Sequence, residues 1–333
     1  MKTISLYSGG LDSILATRLM VELGIEVEAF HYKTVFDILY GTEDHAAVER
    51  SAQALGVPLR IFDVSEAFLA VVKHPEHGYG SNMNPCIDCR IFMLRLAKTH
   101  MEASRAQFIV TGEVVGERPM SQHKNALRHI EKEAGLEGYL LRPLSARILP
   151  PTVPETEGWV DRERLKAFQG RGRRPQIELA AAFGIGTYPV PAGGCLLTDP
   201  LYSARLKDLV EHHPAFTVND AWLLRTGRHF RLSPEARLVV GRREEENGRL
   251  EILAGEGDLL LRIASGPGPV SLLRGEHIED EIERTAAITL RYSRFKEARK
   301  MEMLLRRGGI SELRTISVSP VSDEAITGLM VGR

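Results

Sequence analysis

Long apolar runs are missing from this chain of 333 residues. No stretch approaches the roughly 18 to 20 apolar residues that a membrane-spanning helix requires. The N-terminus also lacks a basic region followed by an apolar stretch and a small-residue cleavage site, which is the pattern of a secretory signal. We therefore expect a cytoplasmic protein that has no membrane partner.

Cysteine is scarce as well, because the chain contains only Cys86, Cys89 and Cys195. An odd number of cysteines in a cytoplasmic chain argues against a framework of structural disulfides. The three also lie in loop-like segments near glycine or proline, unlike the usual cysteine of a hydrophobic core. These residues are therefore candidates for chemistry.

An excess of one charge is absent too, since the formal net charge is -1 at pH 7, and this value predicts no class of partner. Locally, however, Arg284 to Arg314 contains nine Lys or Arg residues against three Glu residues. Such blocks are either phosphate-facing surface or solvated helix faces. A second basic stretch consists of Arg162, Arg164, Lys166, Arg171, Arg173 and Arg174.

The first 150 residues alternate between short apolar segments typical of buried strands and segments whose apolar residues have helical spacing. This alternation predicts an α/β fold with a parallel sheet flanked by helices on both faces. The predicted strands are 2–7, 25–31, 59–64, 107–111 and 139–144, and the predicted helices are 14–23, 43–55 and 86–101.

The pattern changes after a proline-rich stretch at 143–154, which looks like a linker. We predict a catalytic domain over 1–150, a linker and basic segment with the third cysteine over 151–205, and an α+β domain over 206–333. In this last region the predicted helices are 201–212, 218–225, one that follows Gly241 and 276–291, and the predicted strands are 228–232, 236–240, 258–263 and 269–273.

The segment Ser8-Gly9-Gly10-Leu11-Asp12-Ser13 joins the first predicted strand to the first predicted helix. Its glycines let backbone N–H groups approach an anion closely, and the helix N-terminus adds unpaired donors and partial positive charge. With the Ser8 and Ser13 hydroxyls, the segment predicts a pyrophosphate cradle. Asp12 does not fit a bare anion cradle and is better explained as a magnesium ligand or an orienter of the nucleotide. An ordinary strand-to-helix turn with a serine cap is the simpler alternative.

This loop lacks the lysine of a Walker loop and the Gly-x-Gly-x-x-Gly fingerprint of dinucleotide-binding folds. In its position on the first strand of an α/β domain, it resembles the loop of the PP-loop ATP pyrophosphatases. The resemblance implies the PP-loop fold (adenine nucleotide alpha hydrolase-like), bound ATP and Mg²⁺, release of pyrophosphate and an adenylated intermediate. It also implies a catalytic role for Asp12.

The segment Cys86-Ile87-Asp88-Cys89 begins a predicted helix, whose N–H donors should lower the pKa of both thiols. With Cys195, which follows Gly193-Gly194, the chain offers three thiolates, one fewer than a closed structural zinc site uses. Three cysteine ligands on a 4Fe–4S cluster would leave one iron open to carry a sulfide. The alternatives are a zinc site completed by a histidine such as His123, and three unrelated thiols.

A loop follows the fourth predicted strand, at the sheet edge where ligands bind in open α/β folds. It runs from Thr111 to Gln122 and resembles the corresponding loop of the tRNA 4-thiouridine synthetases, including its Ser-Gln pair. The resemblance covers residues 1 to about 200, although the N-terminal RNA-binding domains of those enzymes have no counterpart here. It implies that Thr111 and Gly112 contact ATP and that Glu113, Arg118, Ser121 and Gln122 contact the substrate.

The region of roughly 220–320 resembles an NFACT-type RNA-binding domain through the segments 237–250, 258–274 and 283–293. The resemblance implies basic contacts with phosphates, which position RNA without reading its sequence. A plain α+β accessory domain is the alternative. The expected RNA contacts in the two basic regions are Arg171, Arg173, Arg174, Arg242, Arg243, Arg294 and Lys296.

Together these resemblances predict an ATP-dependent tRNA sulfurtransferase that adenylates a uracil carbonyl and then inserts sulfur. The sulfur would come from a sulfide on the cluster or from a cysteine persulfide, each supplied by a donor. A PP-loop amide or amidine ligase and a non-catalytic, nucleotide-sensing RNA-binding regulator are the other classes. The sequence leaves open whether the protein is a homodimer, and whether Phe30, His31 and Thr111 line an adenine pocket or simply pack in the core.

Overall fold

The computed structural model describes residues 1–38, 45–188, 195–309 and 313–332. These residues form two compact units, Met1–Leu196 and Leu197–Arg333. No helix within the described ranges is long and apolar enough to cross a membrane. Gly193 and Gly194, which the sequence analysis places before the third cysteine, lie outside the described residues.

Five short strands form a parallel sheet in the first unit: β1 (Lys2–Leu6), β2 (Glu26–Lys33), β3 (Leu59–Asp63), β4 (Phe108–Thr111) and β5 (Leu140–Leu141). Their order across the sheet is β3-β2-β1-β4-β5, and every neighbouring pair is parallel, as the alternating pattern predicts. Because β1 and β4 lie side by side, the loops that follow them open at the same edge of the sheet.

Helices cover both faces of this sheet. Phe108 and Val110 of β4 join one core together with Leu15 and other α1 residues, whereas Ile109 joins a second core with Leu94. This alternation is the period of two that a buried strand imposes on its side chains. The helices are α1 (Leu11–Glu22), α2 (His45–Ala54), α3 (Ser65–Lys73), α4 (Cys86–Ser104), α5 (Lys124–Glu133), α6 (Val153–Thr156) and α7 (Arg174–Ala182).

The proline-rich stretch at 143–154 packs into the first unit. Leu144 and Ala146 are buried in the same core as α1, and so are Val160 and Leu165 further along the chain. The predicted boundary at residue 150 therefore falls inside a compact unit, and residues 151–196 belong with the parallel sheet.

The second unit is built on an antiparallel sheet with the strand order β11-β10-β8-β9-β7-β6-β12. Its strands are β6 (Arg228–Arg231), β7 (Ala236–Val240), β8 (Leu259–Ile263), β9 (Ser271–Gly275), β10 (Met301–Arg307), β11 (Leu313–Val318) and β12 (Met330–Val331). Its helices are α8 (Pro200–His212), α9 (Val218–Leu223), α10 (Glu244–Leu253), α11 (Ile282–Arg291) and α12 (Asp323–Thr327). The sequence analysis predicts β6 to β9, but it does not predict β10 to β12.

Candidate nucleotide and thiol site

The turn between β1 and α1 has the form of an open anion cradle. Gly9 adopts a left-handed backbone with φ of 74°, which favours glycine. Helix α1 begins at Leu11, three residues earlier than expected, so Asp12 and Ser13 lie in its first turn. Gly10 occupies the N-cap and has no side chain that could cap the helix, which leaves first-turn N–H groups available to an anion.

Serine hydroxyls hold this turn in shape. Ser13 Oγ donates to the Gly10 carbonyl at 2.8 Å, and the Gly10 amide donates to Ser8 Oγ at 3.3 Å. Ser13 is buried, whereas Ser8 is exposed at the mouth of the turn. Ser8 is thus the hydroxyl of this pair that an incoming anion can reach.

The end of β4 lies directly against the turn between β1 and α1, which we call the nucleotide turn. A Cβ atom on Gly112 would lie 2.5 Å from the carbonyl carbon of Asp12 and 2.5 Å from the amide nitrogen of Ser13. No side chain fits at that distance, so glycine is required for this approach. Thr111 is buried beside it, and its hydroxyl donates to Glu113 at 3.1 Å.

Asp12 faces a basic residue that the sequence analysis assigns to RNA. The Arg173 guanidinium contacts Asp12 Oδ2 at 3.0 Å and Glu117 Oε1 at 3.1 Å. Arg173 therefore lies at the nucleotide turn in this structure. Arg171 and Arg174 are exposed, and Arg174 pairs with Glu178 on its own helix.

Buried polar atoms without partners surround Asp12. Within the described residues, Asp12 Oδ1 and both polar atoms of the Gln176 amide make no hydrogen bond, although Gln176 is only 1% exposed. Burial raises the pKa of Asp12, while Arg173, the nearby Gln176 amide and Arg118 oppose the rise. Unsatisfied buried polar groups cost about 1–3 kcal/mol each, so this arrangement fits a polar ligand such as Mg²⁺ with a nucleotide.

Helix α4 presents the paired cysteines at its first turn. Cys86 is its first residue, as predicted, and the Cys89 amide donates to the Pro85 carbonyl at 2.8 Å. The expected lowering of the thiol pKa values is wrong for this structure. Desolvation by burial raises the pKa of Cys86, and raises that of Cys89 to about 12, outweighing the opposing charge of Arg90.

The third cysteine lies in the same unit and reaches the same neighbourhood through Asp37. Cys195 and Asp37 form an isolated antiparallel bridge, and the Leu196 amide donates to the Phe36 carbonyl at 2.8 Å. The charge of Asp37 also acts on the Cys89 thiol. None of the three cysteines forms a disulfide. Asp37 therefore lies near Cys89 and is paired through its backbone with Cys195.

Arg118 lies in the loop after β4 and is exposed. Burial raises the pKa of Asp12 and of Cys86, and the positive charge of Arg118 opposes the rise in both. Its loop is closed by Gln122, whose side-chain oxygen accepts from the Arg118 amide at 3.1 Å. Ser121 and Gln122 are both buried, so in this structure they shape the loop.

Glu113 lies in an internal ion-pair network. It is 2% exposed and contacts Arg142 Nε at 3.0 Å and Arg90 Nε at 3.5 Å. Although burial opposes ionisation, these two arginines hold the pKa of Glu113 below its usual range. The network joins the loop after β4 to Arg90, which follows Cys89 directly on α4.

The remaining residues that the sequence suggests for an adenine pocket or a zinc site are Phe30, His31 and His123. Phe30 is 2% exposed and packs in a core cluster with Ile4, which favours the core interpretation over an adenine contact. His31 Nδ1 lies 2.9 Å from the Tyr7 carbonyl oxygen. His123 caps α5 by accepting from the Ala126 amide.

A compact zinc site with His123 is not formed. Among the described residues, the group of three or more His, Cys, Asp and Glu donors within 4.8 Å of one another consists of Glu76, His77 and Asp88. A 4Fe–4S cluster is larger than a single ion, so its ligands need not meet that limit.

The expected RNA contacts of the second unit lie on its surface. Arg242 is 43% exposed at its side chain and pairs with Glu246, and Arg243 beside it is exposed. Arg294 and Lys296 are exposed, and the Arg294 guanidinium lies 4.7 Å from the centroid of the Phe295 ring. An arginine beside an aromatic ring provides charge for phosphates together with a stacking surface.

Two family models match separate parts of the chain. Residues 1–147 match the model described as thiamine biosynthesis protein (ThiI), and residues 227–330 match the NFACT protein RNA binding domain. These matches confirm both resemblances drawn from the sequence.

Curated relatives match over a shorter stretch. The tRNA-specific 2-thiouridylases MnmA of Fervidobacterium nodosum and Thermotoga petrophila are 34% and 36% identical over 102 and 107 residues. These alignments cover 26% and 28% of this chain and 29% and 30% of those proteins. The matched region thus spans less than a third of the relatives' length.

Two solved structures match the chain at low identity and with low TM-scores. A 4-thiouridine synthetase in complex with RNA and bound ATP is 20% identical with a TM-score of 0.35, covering 55% of this chain and 51% of that chain. A predicted subunit of tRNA methyltransferase from Methanocaldococcus jannaschii is 14% identical with a TM-score of 0.35, covering 54% and 74%.

Proposed function

We propose that this protein is an ATP-dependent tRNA sulfurtransferase that exchanges a uracil carbonyl oxygen for sulfur. The observation that carries the proposal is the open turn from Ser8 to Ser13, where Asp12 Oδ1 is buried without a hydrogen bond and Arg173 lies 3.0 Å from Asp12 Oδ2. The thiols of Cys86 and Cys89 begin α4 in the same unit. Adenylation and sulfur transfer need both sites within reach of one uracil ring. The similarity to ThiI and to the 2-thiouridylases supports the same chemistry.

In the first step, ATP lies with its phosphates over the turn from Ser8 to Ser13. Asp12 would hold Mg²⁺ through Oδ1, which makes no hydrogen bond in the structure, and Arg173 would turn from Asp12 towards the phosphates. The C2 or C4 carbonyl oxygen of the uracil attacks the α-phosphorus, and pyrophosphate leaves. The leaving group is already good, so the protein contributes mainly positioning and charge stabilisation.

In the second step, sulfur forms a bond to the activated ring carbon and AMP leaves with the former carbonyl oxygen. Cys86, Cys89 and Cys195 are the proposed ligands of a 4Fe–4S cluster, and the proximity of Asp37 to both Cys89 and Cys195 supports this assignment. Such a cluster supplies an iron without a protein thiolate, which can carry a sulfide. Arg118 and Arg90 then lie beside the thiols, where positive charge favours thiolate over thiol.

The alternative source of sulfur is a persulfide on one of the cysteines. A second cysteine would attack the sulfur–sulfur bond as the sulfur is transferred, which leaves a disulfide that a dithiol reductant must reduce. Assays of iron and acid-labile sulfide on protein purified without oxygen separate the two routes. About four irons per chain, lost in Cys195→Ser, support the cluster. Iron-free protein that still thiolates RNA supports the persulfide.

Binding of tRNA would use the second unit. The match to the NFACT RNA binding domain and the exposed pair Arg294 and Lys296 support this assignment. Arg242, Arg243, Arg171 and Arg174 are further proposed phosphate contacts. These residues would position the tRNA, and the uridine would be selected at the active site.

The test uses the full-length protein, unmodified tRNA, ATP and sulfide under anaerobic conditions. Nucleoside mass spectrometry should detect thiouridine, and pyrophosphate release should require both tRNA and ATP. Asp12→Asn should abolish both products, whereas the exposed substitution Glu157→Gln should retain them. Thiouridine formation by a variant without the three cysteines would contradict the sulfur step. Pyrophosphate release that needs a small molecule and no RNA would favour a ligase.

A further inference from the structure

A second group of side chains with metal-ligand chemistry lies at the first turn of α4 and next to it. His77, in the turn before α4, directs Nδ1 at Asp88 Oδ1 with a separation of 2.8 Å. The other ring nitrogen of His77, Nε2, lies 2.8 Å from Nε2 of His129 on α5. No cysteine belongs to the group of His, Cys, Asp and Glu donors that lie within 4.8 Å of one another here, among the described residues.

Asp88 fixes the orientation of His77. Its two carboxylate oxygens also accept the backbone amides of Glu76 and His77, each at 3.2 Å. A carboxylate that accepts the Nδ1 proton leaves the lone pair on Nε2, and metal-binding histidines are commonly held in this way. His77 Nε2 is therefore presented as an acceptor towards His129.

The two Nε2 atoms are neighbours, but they lie closer than in a tetrahedral zinc site. Zinc–imidazole bonds of about 2.0–2.1 Å at a tetrahedral angle place the two nitrogens about 3.3 Å apart, against 2.8 Å here, so binding requires the rings to move apart by about 0.5 Å. Glu76 lies close by, because its carboxylate, a His77 ring nitrogen and an Asp88 carboxylate oxygen lie within 4.8 Å of one another, but His129 is not part of that group. His129 and Glu76 are exposed, which leaves the remaining positions open to water.

We propose that His77 and His129 bind a late first-row divalent cation such as Zn²⁺, with Asp88 orienting His77 from outside the coordination shell. Imidazole is a preferred ligand of zinc, copper and nickel. The ion joins the turn before α4 to α5, and it holds the turn from which the cysteine pair begins. Its binding stabilises the folded first unit by mass action. The competing explanation, a plain hydrogen bond between two imidazoles, predicts no ion.

The binding test uses the full chain with Cys86, Cys89 and Cys195 replaced by serine, so that no thiolate competes for metal. After removal of metal with a chelator, calorimetric titration with Zn²⁺ should give saturable uptake of one ion per chain. His77→Ala and His129→Ala should each weaken binding at least tenfold, and Asp88→Asn should weaken it about 10- to 100-fold. His213→Ala, another exposed histidine, should leave the affinity unchanged.

Zinc-edge X-ray absorption provides a second readout that needs no histidine variant. The spectrum of the zinc-loaded protein should show nitrogen or oxygen neighbours at about 2.0–2.1 Å and the outer-shell scattering of two imidazoles. The absence of saturable uptake, uptake that is unchanged in His129→Ala, or a spectrum without imidazole scattering would each overturn the proposal.

Discussion

Arg173 connects two carboxylates at the nucleotide turn, Asp12 and Glu117, through separate guanidinium nitrogens. Sequence reasoning places it on an RNA-facing surface because it stands in a run of basic residues. Arg173 directly precedes α7. Only the packing of α7 against α1 reveals that Gln176, three residues after Arg173, is buried beside Asp12. One basic residue in the run therefore lies at the nucleotide turn, although its neighbours in the sequence are basic as well.

Replacing Arg173 by alanine should raise the KM for ATP about 10- to 100-fold, because a charge-assisted hydrogen bond contributes about 1.5–3 kcal/mol. The effect should appear in steady-state pyrophosphate release with saturating tRNA. Arg95→Ala is the matched control, since this exposed guanidinium contacts Glu133 on the neighbouring α5. An unchanged KM in the Arg173 variant would exclude its proposed contact with the phosphates.

Gly112 permits the close approach between the end of β4 and the nucleotide turn. Gly112→Ala would place a Cβ atom 2.5 Å from the backbone of Asp12 and Ser13, so the turn must shift. We expect loss of pyrophosphate release and a loss of about 1–3 kcal/mol in stability. Gly186→Ala should have little effect on either, because its added Cβ would contact nothing within 4 Å. Activity assays and thermal unfolding check both outcomes, and full activity in Gly112→Ala would refute the role of this contact.

Burial sets the reactivity of the Cys89 thiol in the metal-free protein. Its pKa is raised from 9.0 to about 12, so the thiol is protonated at neutral pH and the thiolate fraction keeps rising above pH 9. We expect alkylation by iodoacetamide at pH 7.5 to be at least tenfold slower than for a small exposed thiol, and to accelerate up to pH 10. Peptide mass spectrometry measures the rate. Rapid alkylation that levels off near pH 8 would show that the pKa is not raised.

Helix α4 is the element that combines most of these features. Its first turn carries the cysteine pair and Asp88, and Arg90 extends from it to Glu113 in the loop after β4. The sequence predicts this helix and its start at Cys86 because proline precedes the turn and apolar residues recur with helical spacing. It does not predict Arg90 as a link, since the partner lies 23 residues away and is buried.

Elements with mixed polarity are the ones that sequence reasoning misses. In β10, Met303 and Leu305 are buried between exposed Glu302 and Arg306. This alternation of buried and exposed residues is typical of a strand. The many Lys and Arg residues of the surrounding segment hide the alternation in the sequence. Helix α5 is similar, because its three buried residues stand among Lys, Arg, His and Glu. Tertiary packing selects these elements more than local propensity does.

The ion-pair network of Glu113 should stabilise the first unit. Glu113→Gln leaves Arg142 buried with Glu131 as its remaining acidic partner, and we expect a loss of about 2–4 kcal/mol. Urea unfolding followed by Trp159 fluorescence reports on the first unit. Trp222, the other tryptophan, is replaced by Phe in the reference protein and in both variants. Glu133→Gln is the control, because that carboxylate is 39% exposed, and it should change stability by less than about 0.5 kcal/mol. Equal stability of the two variants would contradict the role of the network.

At the scale of the whole molecule, the chain combines a parallel unit that matches the ThiI model over residues 1–147 with a second unit that matches the NFACT RNA binding domain over residues 227–330. The sequence reveals this combination because each unit has its own motifs. It does not reveal that residues 151–196 complete the first unit, since their contacts with α1 depend on a few buried side chains such as Val160 and Ala180. Those residues also supply Arg173 and Gln176 to the nucleotide turn.

The central claim is that one site activates a uracil oxygen with ATP and then replaces that oxygen by sulfur. The most direct measurement uses tRNA transcribed with oxygen-18 at C2 or C4 of its uridines, followed by mass analysis of the AMP formed. One of the two labelled tRNAs should give AMP that carries one oxygen-18 atom per thiouridine, with no label in pyrophosphate. Unlabelled AMP from both substrates, together with thiouridine formation, would contradict adenylation of the uracil carbonyl.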